Sequence, residues 1–179
     1  MRKAWVFSLV AMLACLNFGC NEELKDPDKV EIYKGPLVEN HDIIMLFSDS
    51  ARLQIKLKAP VQQEFDNGDG VFPKGLYVEF YGEPGQITST LKANYGKNDK
   101  RKNLYIARGN VIVENLQKKE KLETEELYWD KNKGKIYTDK FVRITTAEEI
   151  LTGEGLRANQ DFTNWRILKP TGIINLKEE

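Results

Sequence analysis

From about Glu31 onward, apolar and polar residues alternate with a period of two, and no stretch keeps a helical period beyond a turn or two. A chain patterned this way buries one face of each segment in a sheet, so its fold is a solution to packing strands. Residues 51–58 alternate cleanly: Ala51, Leu53, Ile55 and Leu57 fall on one face, and Arg52, Gln54, Lys56 and Lys58 on the other. Residues 76–80 repeat the pattern. Between them, Asp66-Asn-Gly-Asp-Gly70 carries the positive-φ chemistry of a turn. It lacks the alternating oxygen ligands and closing Glu of a calcium loop, so a plain turn is expected there.

The second half of the chain matches itself. Leu122-Glu-Thr-Glu-Glu-Leu-Tyr-Trp-Asp130 aligns with Leu151-Thr-Gly-Glu-Gly-Leu-Arg-Ala-Asn159 at a constant offset of 29, and a looser copy runs through residues 87–94. Each copy is followed by two further short apolar stretches, which predicts a unit of about 30 residues and three strands stacked on a shared interior. Leu122 and Leu127 are an odd number apart, as are Leu151 and Leu156, so each pair requires a bulge if both side chains face inward. Gly153 and Gly155 resemble bulge or close-packing positions.

Strand parity predicts one inward stripe: Leu53, Ile55, Leu57, Val78, Phe80, Ile87, Ile106, Val111, Val113, Leu122, Leu127, Trp129, Ile136, Val142, Ile144, Leu151, Leu156 and Ile167. Parity does not separate two readings of that stripe. A closed core between packed sheets and the lining of an open apolar groove use the same side chains.

Residues 1–20 form a leader of secretory type, with Arg2 and Lys3 ahead of a charge-free apolar stretch. Gly19-Cys20 at its end resembles a bacterial lipobox, which would make Cys20 a lipidation site; Cys15 is a second candidate, and an ordinary signal or uncleaved anchor is the alternative. Residues 21–30 are polar, contain Pro27 and read as a tether, leaving residues 31–179 as one all-β domain. All readings put that domain outside the cytoplasm and beside a membrane.

Several function classes fall away. The 27 basic and 27 acidic residues balance, which leaves no basic excess for nucleic acid. One histidine and two cysteines, both in the leader, leave no set for a structural zinc site. His41 reads as a loop residue, and no carboxylate pair stands at an acid–base spacing. Gly96-Lys97 and Gly134-Lys135 lack the flanking residues of a phosphate loop, so any energy must come from a partner. No cofactor and no enzymatic activity are expected.

The segments Thr124-Glu-Glu-Leu-Tyr-Trp-Asp130, Lys135-Ile-Tyr-Thr-Asp139, Val142-Arg-Ile144 and Leu151-Thr-Gly-Glu-Gly-Leu156 together resemble the LptC family. Lys58-Ala-Pro60, Phe72-Pro-Lys-Gly-Leu76 and Gly109-Asn-Val-Ile-Val113 extend the resemblance over residues 51–174. It implies an antiparallel β-jellyroll, open along one side, with an apolar groove between its sheets. It further implies a non-enzymatic component that takes lipopolysaccharide from an inner-membrane ABC transporter of LptB/LptF/LptG type and passes it to an LptA-like bridge. The inward stripe would then line the groove, and the C-terminal edge at Thr171, Ile173, Ile174 and Leu176 would meet the bridge. The first strands, near residues 42–57, would face the transporter. The alternative from the residues alone is an adaptor lipoprotein with a filled core, acting only through its sheet edges. Family members with a spanning N-terminal helix differ from the lipoprotein-like leader of this chain.

Overall fold

The structure, a computed structural model, describes residues 33–82, 85–160, 162 and 164–172. The leader, Cys20, the tether and the proposed partner-edge residues Ile173, Ile174 and Leu176 lie outside the described residues. Among those described, no helix is long and apolar enough to cross a membrane.

Eleven strands follow one another: β1 (Val38–Asp49), β2 (Arg52–Glu64), β3 (Gly70–Phe72), β4 (Leu76–Tyr81), β5 (Ile87–Ala93), β6 (Tyr95–Asp99), β7 (Leu104–Asn115), β8 (Glu120–Asp130), β9 (Lys135–Thr145), β10 (Ile150–Asn159) and β11 (Trp165–Thr171). They form one antiparallel sheet, ordered β11-β10-β9-β8-β7-β5-β4-β2-β3-β6, with β1 on β2 and β6 returning to β7. This is an all-β architecture consistent with the expected jellyroll.

The long strands explain the shape. What reads in sequence as two short strands, residues 104–107 and 111–113, is one twelve-residue strand, β7. Likewise residues 135–138 and 141–144, which read as two short strands, are one strand, β9. The three-strand unit is therefore corrected to a pair of long strands, each bent in the middle. The register shifts between Arg108 and Val111 on β7, between Thr124 and Tyr128 on β8, and between Glu154 and Leu156 on β10. Gly109 and Asn110 both take positive φ at the first bend, and Gly155 does so at the last. The bulges required by the odd Leu122–Leu127 and Leu151–Leu156 spacings stand where expected. Gly153 serves close packing: a Cβ there would run into the Lys169 carbonyl and Ile167 of β11.

Bending folds the sheet onto itself. One apolar cluster joins side chains from both sides of the bends, including Val111, Leu122, Val142 and Ile144 from one half and Leu127, Ile136 and Leu156 from the other. Val111, Val142 and Leu156 are fully buried.

Two strands fork. β2 pairs with β4 through Ile55–Lys58 and with β3 through Gln63 and Glu64. β7 pairs with β6 through Leu104–Arg108 and with β5 through Ile112–Asn115. An ion pair ties the β2–β3 turn to β6: buried Asp69 accepts a 2.8 Å contact from Lys97 Nζ, and the backbone N–H of Lys100 donates to it at 3.1 Å. The Lys97 hydrogen bond holds the Asp69 carboxyl below its ordinary value, against the opposing pull of burial. The expected plain turn is thus also an anchor point between distant strands. His41, expected in a loop, lies on β1, exposed beside Glu39.

Burial predicts two unequal substitutions. Leu156→Ala should cost about 2–5 kcal/mol of unfolding free energy in urea titration. Ile55→Ala, at a half-buried site, should cost about 1 kcal/mol or less.

A pH dependence follows from Asp69. Above its ordinary value of 3.8 the carboxylate is ionised in both folded and unfolded chains, and its contribution is complete. Below that value the unfolded chain takes up the proton first, so stability falls as pH drops toward the lowered folded value. Asp69→Asn should lower stability near neutral pH and flatten the loss below about pH 4, measured by urea titration at stepped pH.

Candidate lipid groove

Two inner faces meet across the folded sheet, and strand register shows what each presents. On one face, Met45, Leu57, Val78, Leu91, Val113, Leu122, Ile144 and Leu151 stand opposite one another, each on a neighbouring strand from β1 to β10. No polar residue interrupts this row. On the facing half, Asn98, Tyr105, Trp129, Ile136, Ala158 and Trp165 align from β6 to β11. The Tyr105 and Trp129 rings stack at 4.9 Å, and the buried Trp129 indole N–H has no partner among the described residues.

The predicted stripe divides into two environments. Val111, Val113, Leu122, Leu127, Ile136, Val142, Ile144 and Leu156 are buried members of the closed cluster, with Trp129, Leu151 and Ile167 packed against it. The gap left there is about 20 Å³, lined by Val113, Leu122, Ile144, Leu156, Phe162 and Trp165 among others. That is room for about one water and not for an acyl chain. Trp165 Nε1 donates to Glu120 Oε2 at 3.4 Å across this region.

Leu53, Ile55 and Phe80 lie outside that cluster and are half-buried, while Val78 beside them is buried. The rim explains the difference. The row next to the apolar ladder reads Phe47, Ile55, Phe80, Ser89, Asn115, Glu120 from β1 to β8. It is apolar over β1, β2 and β4 and polar over β5, β7 and β8. Phe47 is 44% exposed at its apolar end. An accessible apolar inner surface therefore exists over the first strands, and a packed core over the later ones. Ile87 sits at the start of β5, opposite Tyr81 beyond a bulge, and is exposed.

One inward expectation is corrected. Ile106 faces away from the core: it stands between Lys97 and Tyr128 in the outer row that continues through Tyr137, Arg157 and Arg166. Its neighbours Tyr105 and Ala107 take the inner positions. Hydrophobicity alone favours the larger side chain, yet the small, buried Ala107 is the true inner residue. The outer row is closed by its own contacts. Tyr128 stacks on Tyr137 at 5.2 Å, and Arg157 lies over Tyr137 while its Nη2 donates to Asp139 at 2.9 Å. Arg108 pairs with Glu126, which also accepts from Tyr128 Oη at 2.6 Å. Arg143 and Arg157 are both outward, as their parity implies.

Met45 and Phe47 of β1 are inner residues that the sequence pattern does not single out. Their place beside Leu57 and Ile55 depends on the β1–β2 pairing, which local parity does not reveal. Thr171 ends β11, and its backbone carbonyl accepts from Thr152 Oγ1 at 2.8 Å. β1 pairs only with β2 and β11 only with β10, so each presents an unpaired edge within the described sheet.

A search among curated proteins returned no match. A family profile described as lipopolysaccharide-assembly, LptC-related, matches residues 9–171. With that match spanning most of the chain and the all-β fold in agreement, the chain belongs to the LptC family, a membrane-associated periplasmic component of lipopolysaccharide transport.

Proposed function

We propose that this chain carries lipopolysaccharide as a non-enzymatic transfer protein, with acyl chains held on the open inner surface of β1, β2 and β4. The observation that carries this reading is the uninterrupted apolar row from Met45 to Leu151, accessible at its first strands through Phe47, Ile55 and Phe80. Exposing a ~12-carbon chain to water costs on the order of 10 kcal/mol, so passage between membranes needs a continuous apolar surface. The polar glycan cannot enter such a surface. An interior open along one side accommodates both parts.

Family membership supports an inner-membrane ABC transporter as the donor and source of energy, and an LptA-like bridge as the acceptor. The two unpaired edge strands suit strand addition to those neighbours, β1 toward the transporter and β11 with the residues after it toward the bridge. The anchor is Cys20, acylated, or an uncleaved leader in the inner membrane. Loading occurs over the first strands. Onward passage requires the closed region around Leu122, Ile144 and Leu156 to part, or the chains to slide along its open side.

A second reading has its own support. The 20 Å³ gap in the later strands is what a filled adaptor core would show. Photo-crosslinking in the native cell separates the two. A photoreactive residue at Ile55 or Phe80 should give a lipopolysaccharide adduct that depends on ATP hydrolysis by the transporter. Outward Ile106 and Lys135 should give none. Folded protein with no adduct at Ile55, Phe80 or Ile136 would leave the adaptor reading in place.

A further inference from the structure

The bends divide each long strand into two halves, so the turns that join the strands fall into two sets. Residues 115–120 and 145–150 turn at the free end of the half that carries the apolar ladder. Residues 130–135 and 159–165 turn at the free end of the facing half. These two margins are what would part if the folded sheet opened about its bends.

Two inward side chains meet across the margins. Glu120 stands in the row of Phe47, Ile55 and Phe80, two residues before Leu122 on one strand face, so its carboxylate occupies an inward position. Trp165 pairs with Ala158 in the inward row of Trp129 and Ile136 on the facing half. Trp165 Nε1 donates to Glu120 Oε2 at 3.4 Å, joining residues 45 apart in the chain. Both line the gap of about 20 Å³ beside Leu122, Ile144 and Leu156. Phe162 lines it too and packs against the core cluster, with φ at 53°, a left-handed backbone that a bulky side chain rarely adopts. A carboxylate at an inward position costs stability unless it is bonded or solvated. The indole N–H bonds it while the margins are closed, and water solvates both groups once they part. The tie is therefore reversible.

We propose that Glu120 and Trp165 form a latch that keeps the later half of the interior shut, with the bends at Gly109, Asn110 and Gly155 as its hinge. Breaking it parts the margins over Leu122, Ile144 and Leu156 while strand pairing within each half survives. An acyl chain laid on Leu122 and Ile144 would take the place of Phe162 and the Trp165 ring, so chain and latch compete for one surface. The latch is a property of the folded chain; its use in passing acyl chains beyond β4 rests on the transfer reading above.

The test follows maleimide labelling of Ile144→Cys, near the margin, and of Val142→Cys, fully buried beside the bend, in the full chain held in lipid nanodiscs. Trp165→Phe keeps a ring without the N–H, and Glu120→Ala removes the acceptor. Each should speed labelling at Ile144→Cys about tenfold beyond the unfolding rate of the same variant and leave Val142→Cys limited by unfolding. Glu120→Gln, which keeps an acceptor oxygen, should label as slowly as the wild type. Unchanged labelling at Ile144→Cys, or an equal rise at Val142→Cys, would overturn the latch. In the native cell, Glu120→Cys/Trp165→Cys joined by a short bis-maleimide should keep the lipopolysaccharide adduct at a photoreactive Ile55 and lose the adduct at Ile144. Equal adducts at both positions in the joined chain would also overturn the latch. An absent adduct at Ile55 in the unjoined chain would instead overturn the transfer reading, and the labelling rates alone would then decide the latch.

Discussion

The structure depends on one apolar row held in register through neighbouring strands from Met45 on β1 to Leu151 on β10. A slip of one residue in any pairing would replace that strand's member of the row with one from the opposite face. On β4 the change would bring Tyr77 or Glu79 inward for Val78, and on β8 Lys121 or Glu123 for Leu122. The cost of burying those groups makes the register a requirement of folding. The mid-strand bends then bring the second half of each long strand over this row. Positive φ at Gly109, Asn110 and Gly155 lets the chain turn without losing the pairing on either side.

Accessibility along the row is decided by what lies over it and beside it. Over β7 to β10 the facing half supplies Leu127, Ile136 and Leu156, and the space fills. Over β1, β2 and β4 the rim is Phe47, Ile55 and Phe80, and apolar surface stays within reach of solvent. One row of side chains is thus core at one end and borders solvent-accessible apolar surface at the other.

Much of this is legible in the sequence. Period-two alternation fixes the faces of β2 and β4, and the odd leucine spacings by themselves locate two of the bends. The resemblance to LptC carries the fold class. Three features are not legible, each for a physical reason. Hydrophobicity favours Ile106 over Ala107 as the inner residue, whereas the continuity of β7, which keeps Ala107 in step with Val111 and Val113, puts Ala107 inward. β7 and β9 each run unbroken where the pattern suggests two short strands, because the polar residues at their bends, 108–110 and 139–140, read in sequence as turns. The burial of Asp69 depends on Lys97, which meets it through the β3–β6 pairing from a distant part of the chain.

An apolar interior that is open over the first strands and closed over the later ones has a direct chemical signature. Maleimide labelling of single introduced cysteines, read peptide by peptide by mass spectrometry in the folded chain, measures it. Ile55→Cys and Phe80→Cys should label rapidly, and Ile144→Cys and Val142→Cys only as fast as the domain unfolds. Equal labelling at all four sites would show a uniformly open interior, and protection at all four a uniformly filled one; either result would contradict the account.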